Sequence, residues 1–455
     1  MAEPTSPSRL SLARLLGGQF SSLVASGTTQ FALGIWVFER THHATSVTLL
    51  ITAYLLPFLL LSPLAGALAD RLSRKRLMLV GDLAAACTAA ATLALLQAQA
   101  LQVWHLYLFA VVNGGAQTFH WPAFAAVSSE VVRARHYGRV HGFTSLAENG
   151  AKVFAPALGG VLLAAMGLPA ILWLNLAGSL AAAALLVSVR IPERPFAAAG
   201  AARSLWRDSW YGFAYLAQRR DLLTLQLIFF AANFFFSLAT ALVVPYVLQV
   251  TGGDAVALGQ VQAAGAAGGI AGALLMGAWG GPARRPVTAI LLFWTCTGLA
   301  GVGLVGWMRA PVFIALAIFI YTFFGPLIGG SSQALWQRTV PLDAQGRVFA
   351  TRRLIAWASG PLGAAAAGPL ADRVFGPWLQ GPRTPFWAWL PSGPGAGIGT
   401  LMTGAGLCIA LVALASLRNR RLAALDAHSP ARVNDRPDGL AEFHAPPHLR
   451  PPTSP

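Results

Sequence analysis

GALADRLSRKR, residues 66–76, closes an apolar run over 45–69 and precedes another over 77–98. A glycine, an Asp-Arg pair and a basic cluster thus stand between two segments that are each long enough to cross a bilayer, which takes about 20 apolar residues per helix. Reading outward gives ten more such runs, at 15–38, 103–128, 141–166, 169–189, 222–248, 256–279, 286–308, 311–334, 348–371 and 397–417. The chain is 56% hydrophobic and only 11% charged, against roughly a quarter charged in soluble domains. Backbone groups in lipid must be paired internally, so the expected fold class is all-α and polytopic, with twelve spans in two six-helix bundles.

A formal net charge of +16 would also suit a nucleic-acid partner, and the placement of the cations excludes it. With the N-terminus cytoplasmic, all but five of the 32 Lys and Arg fall in the N-terminal arm, the cytoplasmic loops, the middle connector or the C-terminal tail. The exceptions are Arg40, Arg309, Arg373 and Arg383 on the other side and Lys152 inside a span. Basic loops stay cytoplasmic, which gives an even number of spans with both termini inside and predicts a multi-pass protein of the inner (plasma) membrane.

The expected organisation is a cytoplasmic arm over 1–14, an N-terminal bundle over 15–190, a connector over 191–221, a C-terminal bundle over 222–417 and a disordered cytoplasmic tail over 418–455. The connector carries Leu205, Trp206, Trp210, Phe213 and Leu216 at near-helical spacing among arginines, a pattern suited to a helix in the membrane interface. Cys87, Cys296 and Cys408 sit in separate spans without metal-ligand spacing and are expected to be packing residues. No metal and no cofactor are expected.

Internal echoes suggest duplication. Residues 277–285, GAWGGPARR, resemble the end of span 2. GPLG at 360–363 in span 11 pairs with APALGG at 155–160 in span 5, and GPLADR at 368–373 repeats the beginning of the span 2 motif on the opposite side of the membrane.

GALADRLSRKR resembles the loop 2–3 signature of the major facilitator superfamily, with Gly66, Asp70, Arg71, Arg74, Lys75 and Arg76 in the expected places. Gly66 allows a neighbouring helix to approach, and Asp70 can accept hydrogen bonds at a helix N-terminus, where unpaired N–H groups and the dipole favour an anion. The resemblance implies that this partner is the start of span 11 at Arg347, and that the contact holds the cytoplasmic side closed. Anchoring of the basic cluster to lipid phosphates is the competing account.

Span 5 is similar to the antiporter signature of drug exporters through Pro156, Gly159 and Gly160, with Ala155 where the pattern has glycine; Pro361 is its counterpart in span 11. Ordinary close packing explains these residues equally well. Span 4 lacks the arginine of proton-driven drug antiporters. QALWQRTVPLDAQGRVFATRR at 333–353 and GPGAGIG at 393–399 resemble the macrolide and enterobactin-type siderophore exporters better.

Ionisable residues inside spans are costly and therefore candidates for coupling or charge relay. They are Asp82 in span 3 and the i, i+4 pair Glu148 and Lys152 in span 5. The family resemblance implies a central cavity lined by spans 1, 4, 7 and 10. Its candidate residues are Gln30, Asn113, Gln117, His120, Asn233, Tyr321 and Gln333, uncharged hydrogen-bonding groups beside aromatic rings. Such a lining suits a bulky amphipathic solute, while hydrogen bonding between helices is the competing account of each residue.

No HExxH, GxSxG or phosphate-binding Gly-Lys loop occurs, so an enzyme is not expected. The resulting expectation is a monomeric secondary-active exporter of a drug, macrolide or siderophore type of small molecule, with the lipid bilayer as its surroundings and protons as the candidate coupling ion. Import of a small metabolite and a non-transporting sensor are the alternatives.

Overall fold

The computed structural model describes residues 9–71, 73–130, 137–189, 211–282, 284–380 and 392–427. Among these residues there is helix and no strand. The first four apolar runs form α1 (Arg9–Thr41), α2 (Ala44–Arg71), α3 (Arg74–Gln97) and α4 (Val103–Glu130). The fifth and sixth share one helical element, α5 (Tyr137–Ser188), which turns at Gly167, where φ is 74°, a left-handed value that glycine adopts without a Cβ clash. Within the connector, residues 211–218 form α6.

The second half begins with α7 (Arg220–Ala241) and α8 (Val243–Thr251), together span 7, followed by α9 (Ala255–Trp279) as span 8. Span 9 is α10 (Pro286–Cys296) continued by a π-helical stretch, Thr297–Gly303. Span 10 is α11 (Pro311–Thr339). Span 11 is α12 (Leu342–Leu370), whose end widens into a π-helical turn, Ala371–Phe375, before α13 (Gly376–Gln380). Span 12 is α14 (Ala396–Ser416), and the tail expected to be disordered from 418 begins instead with a helix, α15 (Arg420–Ala427), whose Leu422 and Leu425 are buried in the main core.

Nine segments among the described residues are long and apolar enough to cross a membrane. The difference from twelve has a physical origin. Val153–Ser188 is one continuous element although it holds two limbs. The segments omitted are α1 and α4, where Gln19, Ser22, Ser26 and Gln30, and Asn113, Gln117 and His120, lower the mean hydropathy. The exterior agrees with a multi-pass membrane protein, since large apolar side chains such as Leu60, Trp104, Met166, Leu274 and Val312 are exposed on it. Cys87 and Cys296 also lie exposed on the exterior rather than packed inside.

Short connections make successive spans antiparallel, so the molecule has two faces. The one where α1 begins is called here the terminal face, and the other the far face. Of the connector residues expected at the interface, Leu205, Trp206 and Trp210 lie outside the described residues and Phe213 is exposed. Tyr215 and Leu216 of α6 are buried in the main core, and the Arg347 guanidinium sits 4.0 Å from the Tyr211 ring centre.

Candidate functional site

The two halves cross at the far face, and an aspartate makes the crossing. Span 2 starts at Ala44 directly after a tight turn in which His42 has φ 54°. A helix N-terminus carries unpaired N–H groups that need acceptors. For α9 the acceptor is local, because Asp254 receives Val256 N at 2.9 Å and Ala257 N at 3.0 Å. For α2 it comes from the other half of the molecule. Asp372 accepts from Ala44 N at 3.1 Å, from Thr45 N at 2.7 Å and from Thr45 Oγ1 at 2.7 Å. His43 Nδ1 lies 4.0 Å from the same carboxylate. Asp372 belongs to the GPLADR echo and stands in the π-helical turn that ends span 11, and such turns recur where a side chain is re-aimed for function.

The same arrangement occurs once more, within the C-terminal half. Asp426 of α15 accepts from Val287 N at 2.7 Å, Thr288 N at 3.1 Å and Thr288 Oγ1 at 2.6 Å at the start of α10. Both copies use a carboxylate, two successive backbone N–H groups and a threonine hydroxyl. The chemistry matches the role expected for Asp70 at the start of span 11.

Close approach supports the crossing. A Cβ on Gly368 would collide with Thr45 and Thr48 of α2, so only glycine fits there. Further along the same pair of helices, the Phe58 and Trp357 rings lie 4.6 Å apart. Span 5 meets span 8 in the same manner, since a Cβ on Gly160 would stand 2.8 Å from Ala255 O and one on Gly259 2.8 Å from Pro156 O. Gly159 faces the Phe31 ring of α1. Gly160 therefore packs between the halves, and Gly159 within the N-terminal one. Pro361 follows Gly360, whose carbonyl accepts from Ser237 Oγ of α7 at 2.8 Å.

The loop 2–3 motif is placed less fully. Gly66, Asp70 and Arg71 lie on α2, but their side chains are outside the described residues. Lys75 Nζ donates to the carbonyls of Val187 and Val189 at 2.8 and 2.7 Å, tying the start of span 3 to the end of span 6. Arg74 begins α3 and Arg76 is exposed. Arg347, expected opposite Asp70, is seen on the Tyr211 ring. Glu148 and Lys152 lie on α5 with side chains outside the described residues.

The expected cavity residues divide. Gln30 and Gln333 are exposed and Gln117 is half-buried. Asn113 and Asn233 are half-buried and turned to helix backbone: Asn113 Nδ2 donates to Phe109 O and Thr88 Oγ1, each at 2.9 Å, and Asn233 Nδ2 to Phe229 O at 2.8 Å. Tyr321 is 8% exposed, in the core beside the Phe236 ring, and does not face open space. His120 is buried against Asp82. Arg352, near the start of span 11, is not among the expected cavity residues. Its Nη1 donates to Gln333 Oε1 at 3.0 Å and its Nη2 to Ser332 Oγ at 2.7 Å, over the Trp336 ring. No carboxylate among the described residues pairs with it. The signal was present in the sequence as an arginine five residues inside the start of an apolar run.

Two helical halves, held together by the Asp372 cap and by glycine contacts between spans 5 and 8, make a polytopic α-helical membrane protein. The family model of the Major Facilitator Superfamily matches residues 15–365, and the chain belongs to this family. Macrolide efflux protein A of Streptococcus pyogenes is 25% identical over 370 residues, covering 80% of this chain and 90% of that protein. Multidrug efflux pump Tap of Mycolicibacterium fortuitum is 27% identical over 377 residues, 78% of this chain and 88% of the pump. Among solved structures, the nucleoside transporter NupG superposes with a TM-score of 0.62 at 13% identity, over 92% of this chain and 99% of that one. This last likeness concerns the fold alone. Family membership also means that the chain is not an enzyme.

Proposed function

We propose that this protein is a secondary-active exporter of a bulky amphipathic solute, working by alternating access as a monomer in the inner (plasma) membrane. In this reading the terminal face and both termini are cytoplasmic, and the far face is outside. The observation that carries it is the crossing made by Asp372, a cap on span 2 supplied by span 11 of the other half. A bond of that kind holds only while the far face is shut. Asp70 would provide the opposite cap at the start of span 11 while the cytoplasmic face is shut, so the two carboxylates form and break in alternation.

The cargo is proposed from chemistry and from kinship. Arg352 uses two of its five N–H donors on Gln333 and Ser332, and it lies over the Trp336 ring. That favours an apolar solute rich in hydrogen-bond acceptors, of macrolide, drug or siderophore type. The efflux named for the relatives supports the outward direction. A proton moving inward is the proposed source of energy, which makes the protein an antiporter.

Accumulation of labelled erythromycin and of a labelled catecholate siderophore, compared between cells lacking the gene and cells overexpressing it, tests the direction. Overexpression is expected to lower accumulation of at least one. Raised accumulation would make the protein an importer, and no change in either would remove both as cargo.

A further inference from the structure

Within the N-terminal half, three spans converge on one buried carboxylate. Asp82 of α3 is 5% exposed, some two turns inside the helix. Its Oδ1 accepts from Ser22 Oγ of α1 at 3.1 Å. The imidazole Nε2 of His120, on α4, stands 3.8 Å from the same oxygen, and His120 is 2% exposed. The imidazole is seated in a slot in α3, because a Cβ on Gly81 would lie 2.8 Å from His120 Cδ2. Its other nitrogen, Nδ1, has no hydrogen-bond partner.

Charge counting shows what is missing. A carboxylate with a neutral imidazole leaves the pair at minus one, buried in a span with no lysine or arginine at ion-pair distance among the described residues, where a charge is expensive. One proton brings the pair to zero, on a carboxyl oxygen of Asp82 or on the imidazole, and the two groups then titrate as a unit. At 3.8 Å the nitrogen is just beyond hydrogen-bond range, so a small movement of α4 toward α3 would make the bond. No lysine or arginine pairs with Asp82 among the described residues. A narrow cleft of about 10 Å³, room for roughly one water molecule, reaches the carboxylate from the terminal face, lined by Arg14, Leu15, Gly18, Gln19, Met78 and Asp82. Among the described residues, the charged or titratable groups facing Asp82 are Arg14 from α1 and His120 from α4, while α5 presents Ala182 and Leu186.

We infer that Asp82 and His120, steadied by Ser22, form a proton-binding site in the N-terminal half, reached through the Arg14–Gln19 cleft and separate from the place where solute binds. The proton arriving from water in the cleft is shared by the Asp82 carboxylate and the imidazole, drawing α3 and α4 together. Its loss returns the carboxylate to Ser22 alone. Calling this proton the coupling ion rests on the transporter reading; its binding at Asp82 does not.

Two measurements on the purified full chain separate these claims. An infrared pH titration in detergent needs no solute. A carboxyl C=O band that titrates in the wild type should vanish in Asp82→Asn, whose amide oxygen can still accept from Ser22, and its midpoint should move in His120→Gln. A band that persists in Asp82→Asn, or that His120→Gln leaves in place, overturns the site. In proteoliposomes loaded with labelled erythromycin, an imposed pH gradient should drive movement in the wild type, and in Asp82→Asn the gradient should have no effect. Gradient-driven movement that survives Asp82→Asn also overturns the proposal. Should the wild type fail to exchange erythromycin at all while the infrared band behaves as expected, the cargo reading fails and the proton site stands.

Discussion

Asp372 caps a helix that it does not belong to. A local cap steadies its own helix whatever the rest of the chain does, as Asp254 does for α9, whereas Asp372 contributes only when spans 2 and 11 are together. Replacing a capping Asp costs about 0.5–2 kcal/mol, and the charge adds about 0.3–1 kcal/mol at a helix N-terminus. Asp372→Ala is therefore expected to shift the balance of far-face closed and open forms by about tenfold. The readout is alkylation of Thr48→Cys in a background with Cys87, Cys296 and Cys408 changed to serine. Thr48 is fully buried at the crossing, so labelling should be slow in the parent and faster with Asp372→Ala; equal rates would mean that the carboxylate does not hold the face shut. For Arg352, both Lys and Gln substitutions are expected to weaken binding of the transported probe by about tenfold, since an ammonium cannot reproduce the planar fork that spans Gln333 and Ser332. Unchanged affinity in equilibrium binding to the Gln variant would remove Arg352 from the solute site.

Elements reveal how much of this was legible beforehand. The apolar runs gave the helices because length and hydropathy are local properties, and GPLADR, residues 368–373, could be read as an inverted copy of the span 2 motif from residue identity alone. Its partner could not, since nothing in the sequence places Asp372 opposite Thr45 rather than in water. The polar stripes misled in part for a related reason. A span inside a bundle has neighbours on several sides, and helical spacing names a face without naming what it meets. Thus His120 turned to Asp82, Asn113 to Thr88 and Tyr321 to the core beside Phe236, while Gln30 and Gln333 are exposed, the latter bonded to Arg352. The crossing of α2 and α12 makes its own prediction. Gly368→Val overpacks the contact with Thr45 and Thr48, at a cost of about 1–3 kcal/mol. Transport should fail although the protein still inserts, and Thr48→Cys should label faster than in the glycine parent. Full transport by Gly368→Val would mean that close approach there is dispensable.

At the scale of the whole molecule, the basic residues and the two carboxylates address different questions. In the proposed reading the arginine-rich loops set which face is cytoplasmic, and the carboxylates set which face is shut. Asp70→Asn is expected to abolish transport with membrane insertion intact, as judged by surface expression and by accumulation in the same cells; normal transport would reduce GALADRLSRKR to a lipid anchor. Alternation itself is most directly tested by paired spin-label distances on the full chain in lipid. One pair, His43→Cys with Arg373→Cys, reports the far face, and the other, Arg76→Cys with Arg347→Cys, reports the terminal face. With Asp372→Ala the far-face distance should lengthen as the terminal-face distance shortens, and with Asp70→Asn the two should change in the opposite sense. Distances that move together, or that neither substitution moves, would contradict the account.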